Sequence, residues 1–282
     1  MKRNQIIAVF ASVLLVFVIY YFGNFKGSSK QTTHADGHND GGDMMNPSAE
    51  IVALDFEKYK NENENKLSAE KKEKIKILTD KAVKDNTAVA YKDIAEFWEA
   101  EKNLNMAANY YKKAAFLENT EKSITFAGNL YMAVLRQTDE PSIRKWQALE
   151  AIACFNKALE INPNNTDTKI ALATCYTEGT GETMKGVTLL RDITAADSNN
   201  ISANIILGKL AIQSGQFDKA KKRLELVLSL RPENTEAMYF LAEAYKGGGN
   251  KEKAIALFEQ CKKVVNNPEF TKEIDNYIKT FK

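Results

Sequence analysis

The chain has 282 residues, of which 44% are hydrophobic, and its 39 Lys and Arg against 37 Asp and Glu leave a formal net charge of +2. This near balance argues against a nucleic-acid-binding protein, because binding to phosphates needs a clustered excess of basic residues. The chain holds only five prolines, which suits long helices whose charged residues face solvent.

The N-terminus predicts a membrane anchor. The basic start Met1-Lys2-Arg3 is followed by the uncharged run 6–22, which reads IIAVFASVLLVFVIYYF. As a helix this run would be about 25 Å long, close to the hydrocarbon core of about 30 Å. It is longer than the apolar part of a cleaved signal peptide, and no small-residue cleavage site follows it. We therefore expect residues 1–25 to be an uncleaved transmembrane signal anchor that contacts the lipid bilayer through residues 6–22. A cleaved signal peptide is the alternative.

The charges on either side of this run predict its orientation. Lys2 and Arg3 precede it, whereas Lys26 and Lys30 follow it and are soon joined by aspartates. The positive-inside rule then favours a single-pass protein of the inner (cytoplasmic) membrane, with a cytoplasmic N-terminus and the rest of the chain in the periplasm. The abundance of Lys and Asn is typical of a bacterial protein. A eukaryotic membrane protein with a cytosol-facing domain is the alternative.

Residues 26–47 predict a flexible linker. The segment is polar and rich in glycine, so it cannot bury enough apolar surface to offset the entropy of ordering. Its histidines and aspartates offer ligands for a divalent metal ion, but no rigid element holds them, and a solvated linker is the simpler interpretation. These residues are His34, Asp36, His38, Asp40 and Asp43.

Residues 48–87 predict N-terminal capping helices. Apolar residues in 48–59 indicate a short helix, which the polar run NENEN at 61–65 should end. Ser68 is a good N-cap for a second helix, and the apolar residues that follow it recur at helical spacing. That apolar stripe consists of Ile75, Leu78, Ala82 and Val83.

From residue 88 to residue 268 the chain repeats a pattern of two amphipathic helices every 34 residues. The pattern is clearest in 201–234, where a turn at Gly215 separates the helices and Arg231-Pro232 closes the unit, and 235–268 follows it. Self-similarity at this period indicates an array of helical hairpins, because one hairpin alone cannot bury its apolar face.

This pattern resembles the tetratricopeptide repeat (TPR), in which small residues at fixed positions let two helices approach and larger residues fill the space between them. The resemblance implies an all-α fold, a TPR-type helical-hairpin solenoid of about five repeats with N- and C-terminal capping helices. The predicted array 88–268 divides into 88–121, 122–165, 166–200, 201–234 and 235–268, and 269–282 is the C-terminal capping helix. Matching core positions include Ala95, Trp98, Gly128, Tyr131, Phe155, Tyr176, Leu207, Gly208, Leu224, Ala254 and Phe258.

Two of the repeats are irregular. The second carries about eleven residues beyond the 34-residue unit between Tyr131 and Ala151. Within this insertion Pro141 predicts the start of a lengthened second helix, since proline suits the first helical position. The third repeat carries one extra residue near 179–181, a Gly-Thr-Gly sequence that predicts a loose turn.

The resemblance also implies where a partner binds. In TPR proteins the first helices of successive repeats line a concave groove, and the apolar residues at these positions predict contacts with an extended or helical peptide. Support of neighbouring helices is the alternative role for them. A carboxylate clamp is not expected, because Lys92 fits one of its positions but Glu96 and Phe126 replace asparagines. The predicted groove residues are Asn129, Met132, Ile170, Thr174, Ile205, Lys209, Ile212, Tyr239, Glu243 and Lys246.

The three cysteines are predicted to be buried as small apolar side chains. Cys154, Cys175 and Cys261 share no spacing typical of a metal site. A disulfide between Cys154 and Cys175 is the alternative, since the repeat alignment places the two on adjacent helices.

The sequence favours a binding protein over an enzyme. It holds no known catalytic motif, and the array has no histidine, which is the commonest general base. We therefore expect no enzymatic activity, no cofactor and no small-molecule substrate. The favoured function is a membrane-anchored scaffold that binds a protein or peptide partner within a bacterial envelope assembly. The alternatives are a chaperone-like holdase for unfolded clients, at the translocon or in cytochrome maturation, and a self-associating structural protein.

Overall fold

The computed structural model describes residues 51–282, and across this range the chain consists of 13 α-helices and has no β-strand. The helices are α1 (Phe56–Asn65), α2 (Ala69–Asp85), α3 (Ala88–Ala100), α4 (Leu104–Glu118), α5 (Glu121–Leu135), α6 (Pro141–Ile161), α7 (Thr166–Thr174), α8 (Thr183–Ala196), α9 (Ile201–Gln213), α10 (Phe217–Leu230), α11 (Thr235–Gly247), α12 (Lys251–Val265) and α13 (Pro268–Lys279). The described part of the chain divides into two compact units, one that ends at Cys261 and one that comprises residues 262–282.

The helices from α3 to α12 form five successive hairpins. In the first four hairpins the two helices pack on each other, and the second helix also packs on the first helix of the next hairpin. In the fifth hairpin the ring of Tyr239 in α11 contacts the ring of Phe258 in α12, with centroids 5.4 Å apart. We call the surface of α3, α5, α7, α9 and α11 the first-helix face, and that of α4, α6, α8 and α10 the second-helix face. This arrangement confirms the predicted all-α helical-hairpin fold.

Each hairpin begins at a residue whose side chain caps the first helix. The side-chain oxygen accepts a hydrogen bond from the backbone N–H three residues later, at 2.8–3.3 Å. Such caps satisfy one of the backbone donors that a helix leaves free at its start. The capping residues are Thr87, Thr120, Asn165, Asn200 and Asn234. The start of every hairpin is therefore encoded locally in the sequence.

Aromatic residues that match the repeat pattern form the core between the helices. Trp98, Tyr131, Phe155 and Phe258 are each less than 2% exposed. Large aromatic side chains such as these contribute most of the apolar area that a hairpin buries. Their predicted core role is confirmed. Tyr176 is only half-buried.

The cysteines also lie in the core. Cys154, Cys175 and Cys261 are buried and free, and the Cys175 Sγ lies 3.0 Å from the Sδ of Met132. Burial raises the pKa of each thiol to about 12, so all three stay protonated at neutral pH. The prediction that they pack as small apolar side chains is confirmed.

The first helix differs from its prediction at both ends. Residues 51–55 are not helical, and α1 begins at Phe56 and continues through 61–65. The expectation that NENEN ends this helix is therefore wrong. Asp55 caps α1 by accepting from the Lys58 N–H at 3.2 Å, and the Asn63 Nδ2 donates to the Tyr59 carbonyl at 2.7 Å. Packing of Phe56 against α6 and of Tyr59 against α4 outweighs the weak helix propensity of asparagine.

The second helix follows its prediction more closely. Ser68 caps α2 by accepting from the Lys71 N–H at 3.4 Å. Ile75 and Ala82 are buried, whereas Val83 is 70% exposed and does not belong to the buried stripe. Since α2 packs on α3, its buried residues lie against the first hairpin.

The insertion in the second repeat lengthens a helix, as predicted. Pro141 occupies the first helical position of α6, and the Glu140 carboxylate accepts from the backbone N–H groups of Ser142 and Ile143 at 3.3 and 2.8 Å. Hydrogen bonds from the Ser142 hydroxyl and the Ile143 amide hold the pKa of the Glu140 carboxyl below its ordinary value. The negative charge therefore stays at the helix N-terminus, where it stabilises α6.

The extra residue of the third repeat is absorbed within a helix. A π-helical turn, Cys175–Thr180, continues α7, and the chain reverses only at Gly181, where φ is +75°. A π turn accommodates one additional residue in a helix, so the predicted loose turn at 179–181 is wrong. Gly179 lies close to α6, because a Cβ placed on it would come within 2.4 Å of the Ala148 Cβ.

The C-terminal unit contains the amphipathic helix α13. Asn267 caps it by accepting from the N–H groups of Glu269 and Phe270 at 2.9 and 3.0 Å. Phe270, Ile274 and Ile278 on one side of the helix are buried. Its role as a capping helix for the array stays a prediction.

The predicted anchor over 1–25 and the linker over 26–47, with its possible metal ligands, lie outside the described residues. Between residues 51 and 282 no helix combines the length and the apolar content that a membrane crossing requires.

We expect Gly128→Ala to destabilise the fold, although alanine is the better helix former by about 1 kcal/mol. A Cβ on Gly128 would lie 2.7 Å from the ring of Phe155, which is fully buried and has no space to move. Overpacking of this kind costs about 1–3 kcal/mol. Urea unfolding of the variant and the wild type measures the effect.

Gly208→Ala is the matched control, because Gly208 occupies the same position of its repeat. Its Cβ would meet the flexible side chain of Leu224 at 2.9 Å, which can adopt another rotamer more easily than a ring can move. The loss of stability should therefore be larger for Gly128→Ala. An equal loss in the two variants would contradict this account of hairpin packing.

Candidate functional site

The ten predicted groove residues all lie on first helices. Because α7 contacts α9 and α9 contacts α11, the structure brings eight of them together on one stretch of the first-helix face. These are Ile170 and Thr174 on α7, Ile205, Lys209 and Ile212 on α9, and Tyr239, Glu243 and Lys246 on α11. The other two, Asn129 and Met132, lie on α5. We call the stretch formed by α7, α9 and α11 the candidate groove.

Three of the predicted groove residues are buried and hold helices together. Met132, Ile205 and Tyr239 are 5–8% exposed. Met132 contacts the Cys175 thiol at 3.0 Å, and Tyr239 contacts the rings of Phe240 and Phe258. At these positions the structure corrects the expectation of accessible apolar surface, since the side chains face the core. They have the alternative role, which is support of neighbouring helices.

The remaining predicted residues are open to solvent to different degrees. Asn129 is exposed, and Ile212, Ile170 and Thr174 are half-buried. Ile170 packs partly against the core of the third and fourth hairpins. The Thr174 hydroxyl donates a hydrogen bond to the Ile170 carbonyl oxygen at 2.9 Å. Among the predicted apolar groove residues, Ile212 therefore leaves part of its side chain accessible to a partner.

Two ion pairs lie in the candidate groove. Lys209 Nζ is 2.7 Å from Glu178 Oε1, and Lys246 Nζ is 3.0 Å from Glu243 Oε2. All four side chains are between 14% and 27% exposed, so water screens the pairs less than it screens pairs on an open surface. A partner that covers them must preserve the pairing, because an isolated buried charge is costly.

The carboxyl groups of the candidate groove are more numerous than its lysines. Burial raises the pKa of Glu236 on α11, whereas nearby Lys209 lowers it and Glu178 raises it. Lys209 thus pairs with the Glu178 carboxylate of the preceding hairpin and lowers the pKa of the Glu236 carboxyl group in the following one. The second carboxylate oxygen of Glu243, Oε1, is buried and has no hydrogen-bond partner among residues 51–282.

Sequence reasoning missed Glu178 as a member of the groove. It lies in the π-helical turn that follows α7, and its pairing with Lys209 joins residues 31 positions apart. The pairing forms between two hairpins, so helical spacing within one repeat gives no signal for it.

A separate cavity of about 440 Å³ lies where the first hairpin meets α5. Phe126 lines it with 53% of its surface exposed and meets the edge of the Tyr111 ring, with centroids 6.0 Å apart. Lys92 Nζ, also at the cavity, is 2.5 Å from Glu118 Oε1. The residue that fits a carboxylate clamp is therefore paired within the chain, and its neighbour Phe126 gives the cavity an aromatic wall. The exposure of this phenylalanine is a signal that the sequence pattern alone did not reveal.

Two family models match the sequence, and both are described as tetratricopeptide repeat, over residues 147–165 and 211–270. The chain therefore carries TPR sequence within these two ranges, and its fold is a TPR-type helical-hairpin solenoid. No curated protein matches the sequence.

Three solved structures are partly similar to this chain. TTC0263, a thermophilic TPR protein of Thermus thermophilus, is 13% identical with a TM-score of 0.49, over 67% of this chain and 98% of that one. MamA from Desulfovibrio magneticus RS-1 is 17% identical with a TM-score of 0.48, over 63% and 94%. YrrB, described as a TPR protein with an unusual peptide-binding site, is 21% identical with a TM-score of 0.44, over 71% and 97%.

We expect Glu236→Gln to stabilise the protein at neutral pH and to have little effect at low pH. The pKa of Glu236 in the folded protein lies above its unfolded value of about 4.3. The protonated carboxyl group therefore contributes its full stability below about pH 4.3, and this contribution is lost as the pH rises through the folded pKa. The glutamine cannot ionise, so it removes this loss. Urea unfolding at pH 3.5 and pH 8 measures the difference.

Glu233→Gln is the control, because Glu233 is exposed in the turn that precedes α11. It should leave the stability unchanged at both values of pH. If Glu236→Gln lowered the stability at pH 8, the carboxylate would be a stabilising partner of Lys209, and the account of burial given above would be wrong.

Proposed function

We propose that this protein is a protein–protein interaction scaffold that binds a peptide or protein partner in the candidate groove. The observation that carries the proposal is the side-by-side placement of α7, α9 and α11. It leaves Ile212 partly exposed on α9, the helix that also holds Lys209, whose ammonium group pairs with Glu178. Stacked hairpins use their apolar residues for each other. An apolar side chain left on the first-helix face, next to polar groups, is therefore available to a partner.

The groove offers a partner both apolar and polar contacts. Ile212 supplies apolar surface, and Thr174 lies on the adjacent helix α7. The pairs Lys209–Glu178 and Lys246–Glu243 are already compensated, so they select a partner by charge complementarity more than they add to its affinity. An extended or helical peptide with alternating apolar and polar side chains meets both requirements.

We further propose that the array is tethered to the inner membrane through residues 6–22 and faces the periplasm as part of a bacterial envelope assembly. The uncharged run of 17 residues and the basic residues that precede it support this proposal. A tether of this kind would concentrate the groove near membrane-bound partners and raise their effective concentration.

The tether predicts two outcomes in bacterial cells that produce the full chain. The protein should sediment with the membrane and resist extraction by high salt or carbonate, because an inserted helix is held by apolar burial and not by charge. Protease added to spheroplasts should digest the array. Replacement of Leu14 and Leu15 by Arg should release the protein into the soluble fraction, whereas Leu14→Ile with Leu15→Ile should not. Salt-extractable wild-type protein would contradict the anchor.

The groove is tested by photo-crosslinking in the native membrane. A photoreactive amino acid at Ile212 or Asn129, on the first-helix face, should give one or a few discrete adducts at a fixed ratio. The same amino acid at Leu149 on α6 or Lys222 on α10, which are exposed on the second-helix face, should give none of them. Equal adducts from both faces would contradict the proposal, and a continuous range of adducts would favour the holdase.

A charge introduced into the groove provides a second test. Ile212→Glu should remove the adduct formed through position 129, because it places an uncompensated carboxylate on the apolar contact. Lys222→Glu, which changes the charge by a larger amount on the other face, should leave the adduct intact. Ile205 is unsuitable for this test, because it is buried and a charge there would destabilise the array.

A further inference from the structure

The additional turns of the lengthened helix of the second hairpin lie outside the candidate groove. Helix α6 has 21 residues, whereas the second helices of the other four hairpins have 14 or 15. The additional turns lie at its N-terminal end, from Pro141 to about Gln147. They belong to the second-helix face, so the insertion does not extend the surface formed by α7, α9 and α11.

The non-helical segment 51–55 lies along these additional turns. The backbone N–H of Leu54 donates to the carbonyl of Ser142 at 3.1 Å, and the Lys145 Nζ donates to the carbonyl of Ile51 at 2.6 Å. Ala53 and Leu54 pack against the apolar core of the second hairpin. Backbone hydrogen bonds of this kind hold an extended segment in place, whatever its side chains are.

Stacked rings set the register of the segment. Phe56, the first residue of α1, stacks on Trp146 with the ring centroids 5.3 Å apart and the planes at 16°. Trp146 in turn meets the buried ring of Tyr131 edge-on at 5.4 Å. Phe56 also packs against the core of the first hairpin. One aromatic side chain thus bridges the cores of two consecutive hairpins.

A chain of polar side chains continues the contact. The Tyr59 hydroxyl donates to Asn103 Oδ1 at 3.2 Å and accepts from Asn105 Nδ2 at 3.3 Å. Asn105 Oδ1 accepts from Nε2 of the buried Gln147 at 2.6 Å. These bonds connect α1 to the N-terminal ends of α4 and α6, which are both second helices. Hydrogen bonds between partly buried groups fix one arrangement because a shifted register would leave the groups unpaired.

We infer that the insertion in the second repeat is a docking site for residues 51–59 and that it determines where the N-terminal part of the chain joins the array. The hydrogen bonds of the segment go to α4 and α6, so the chain enters on the second-helix face and at the second hairpin. The entry point therefore lies away from the first helices α7, α9 and α11 and leaves the candidate groove accessible. This inference concerns the chain alone and does not depend on the proposed partner.

The docking is tested by hydrogen exchange on the full chain. The Leu54 amide should be protected, and Phe56→Ala should accelerate its exchange about tenfold or more, since the variant removes the stacking that holds the segment. Exchange of the Leu207 amide in α9 should not change. Phe116→Ala, which removes an exposed ring from α4, is the matched control and should leave both amides as in the wild type. Phe56 is preferable to Trp146, whose removal would open the core.

An unprotected Leu54 amide in the wild type would overturn the inference. Acceleration of Leu54 and Leu207 together would also count against it, because Phe56 would then support the whole fold and not a local docking site. Lys145→Met provides a second variant, which keeps the aliphatic stem and removes the ammonium group that donates to the Ile51 carbonyl. It should accelerate Leu54 exchange less than Phe56→Ala does, again without an effect on Leu207.

The entry point is tested by distances between spin labels attached through an unnatural amino acid. Val52 is 78% exposed and Leu149 on α6 is 42% exposed, so both tolerate a label. The pair should give a short, narrow distance distribution in the wild type and a broad one in Phe56→Ala. A distribution that is broad in the wild type, or unchanged in the variant, would overturn the proposed entry on the second-helix face.

Discussion

Close approach of the two helices within each hairpin is the constraint on which the other features of the array depend. Gly128 lies against the ring of Phe155, and Gly208 lies against Leu224, with no space for a Cβ at either position. When helices pack this closely, one side of each first helix is fully occupied by its partner and by the preceding hairpin. The opposite side remains available, and every hairpin presents it on the same face because the repeats stack in register.

Helix α9 shows how this division decides which groove residues are accessible. Ile205 and Leu207 are buried, whereas Lys209 and Ile212 are half-buried. Lys209 then pairs with Glu178 of the preceding hairpin at 2.7 Å and lowers the pKa of Glu236 on α11, the first helix of the next hairpin. The same stacking that buries the apolar residues therefore gathers charges from three hairpins, in surroundings where water screens them little.

The two departures from the 34-residue repeat have different consequences, and both are local. The single extra residue of the third repeat becomes a π turn, Cys175–Thr180, and this turn positions Glu178 in the groove. The longer insertion of the second repeat extends α6 from its N-terminal end, and the added turns bind residues 51–59. Regular hairpins supply the scaffold because each packs only on its neighbours. The irregular ones add the π turn that positions Glu178 and the helix turns that bind residues 51–59.

The sequence by itself determined the parts of the structure that depend on local chemistry. The caps from Thr87 to Asn234 mark the start of each hairpin, and Pro141 marks the start of α6. The repeat pattern identifies a core that includes Trp98 and Phe155. Each of these signals acts within one helix or one hairpin. Only the tertiary structure decided which groove positions remain accessible. Met132 and Tyr239 are buried, Phe126 is exposed, and Glu178 reaches Lys209, because each of these outcomes depends on contacts between helices that are distant in sequence. The path of α1 through NENEN belongs to the same group, because Tyr59 and Phe56 are held by α4 and α6, and packing against other helices overrides the propensity of single residues.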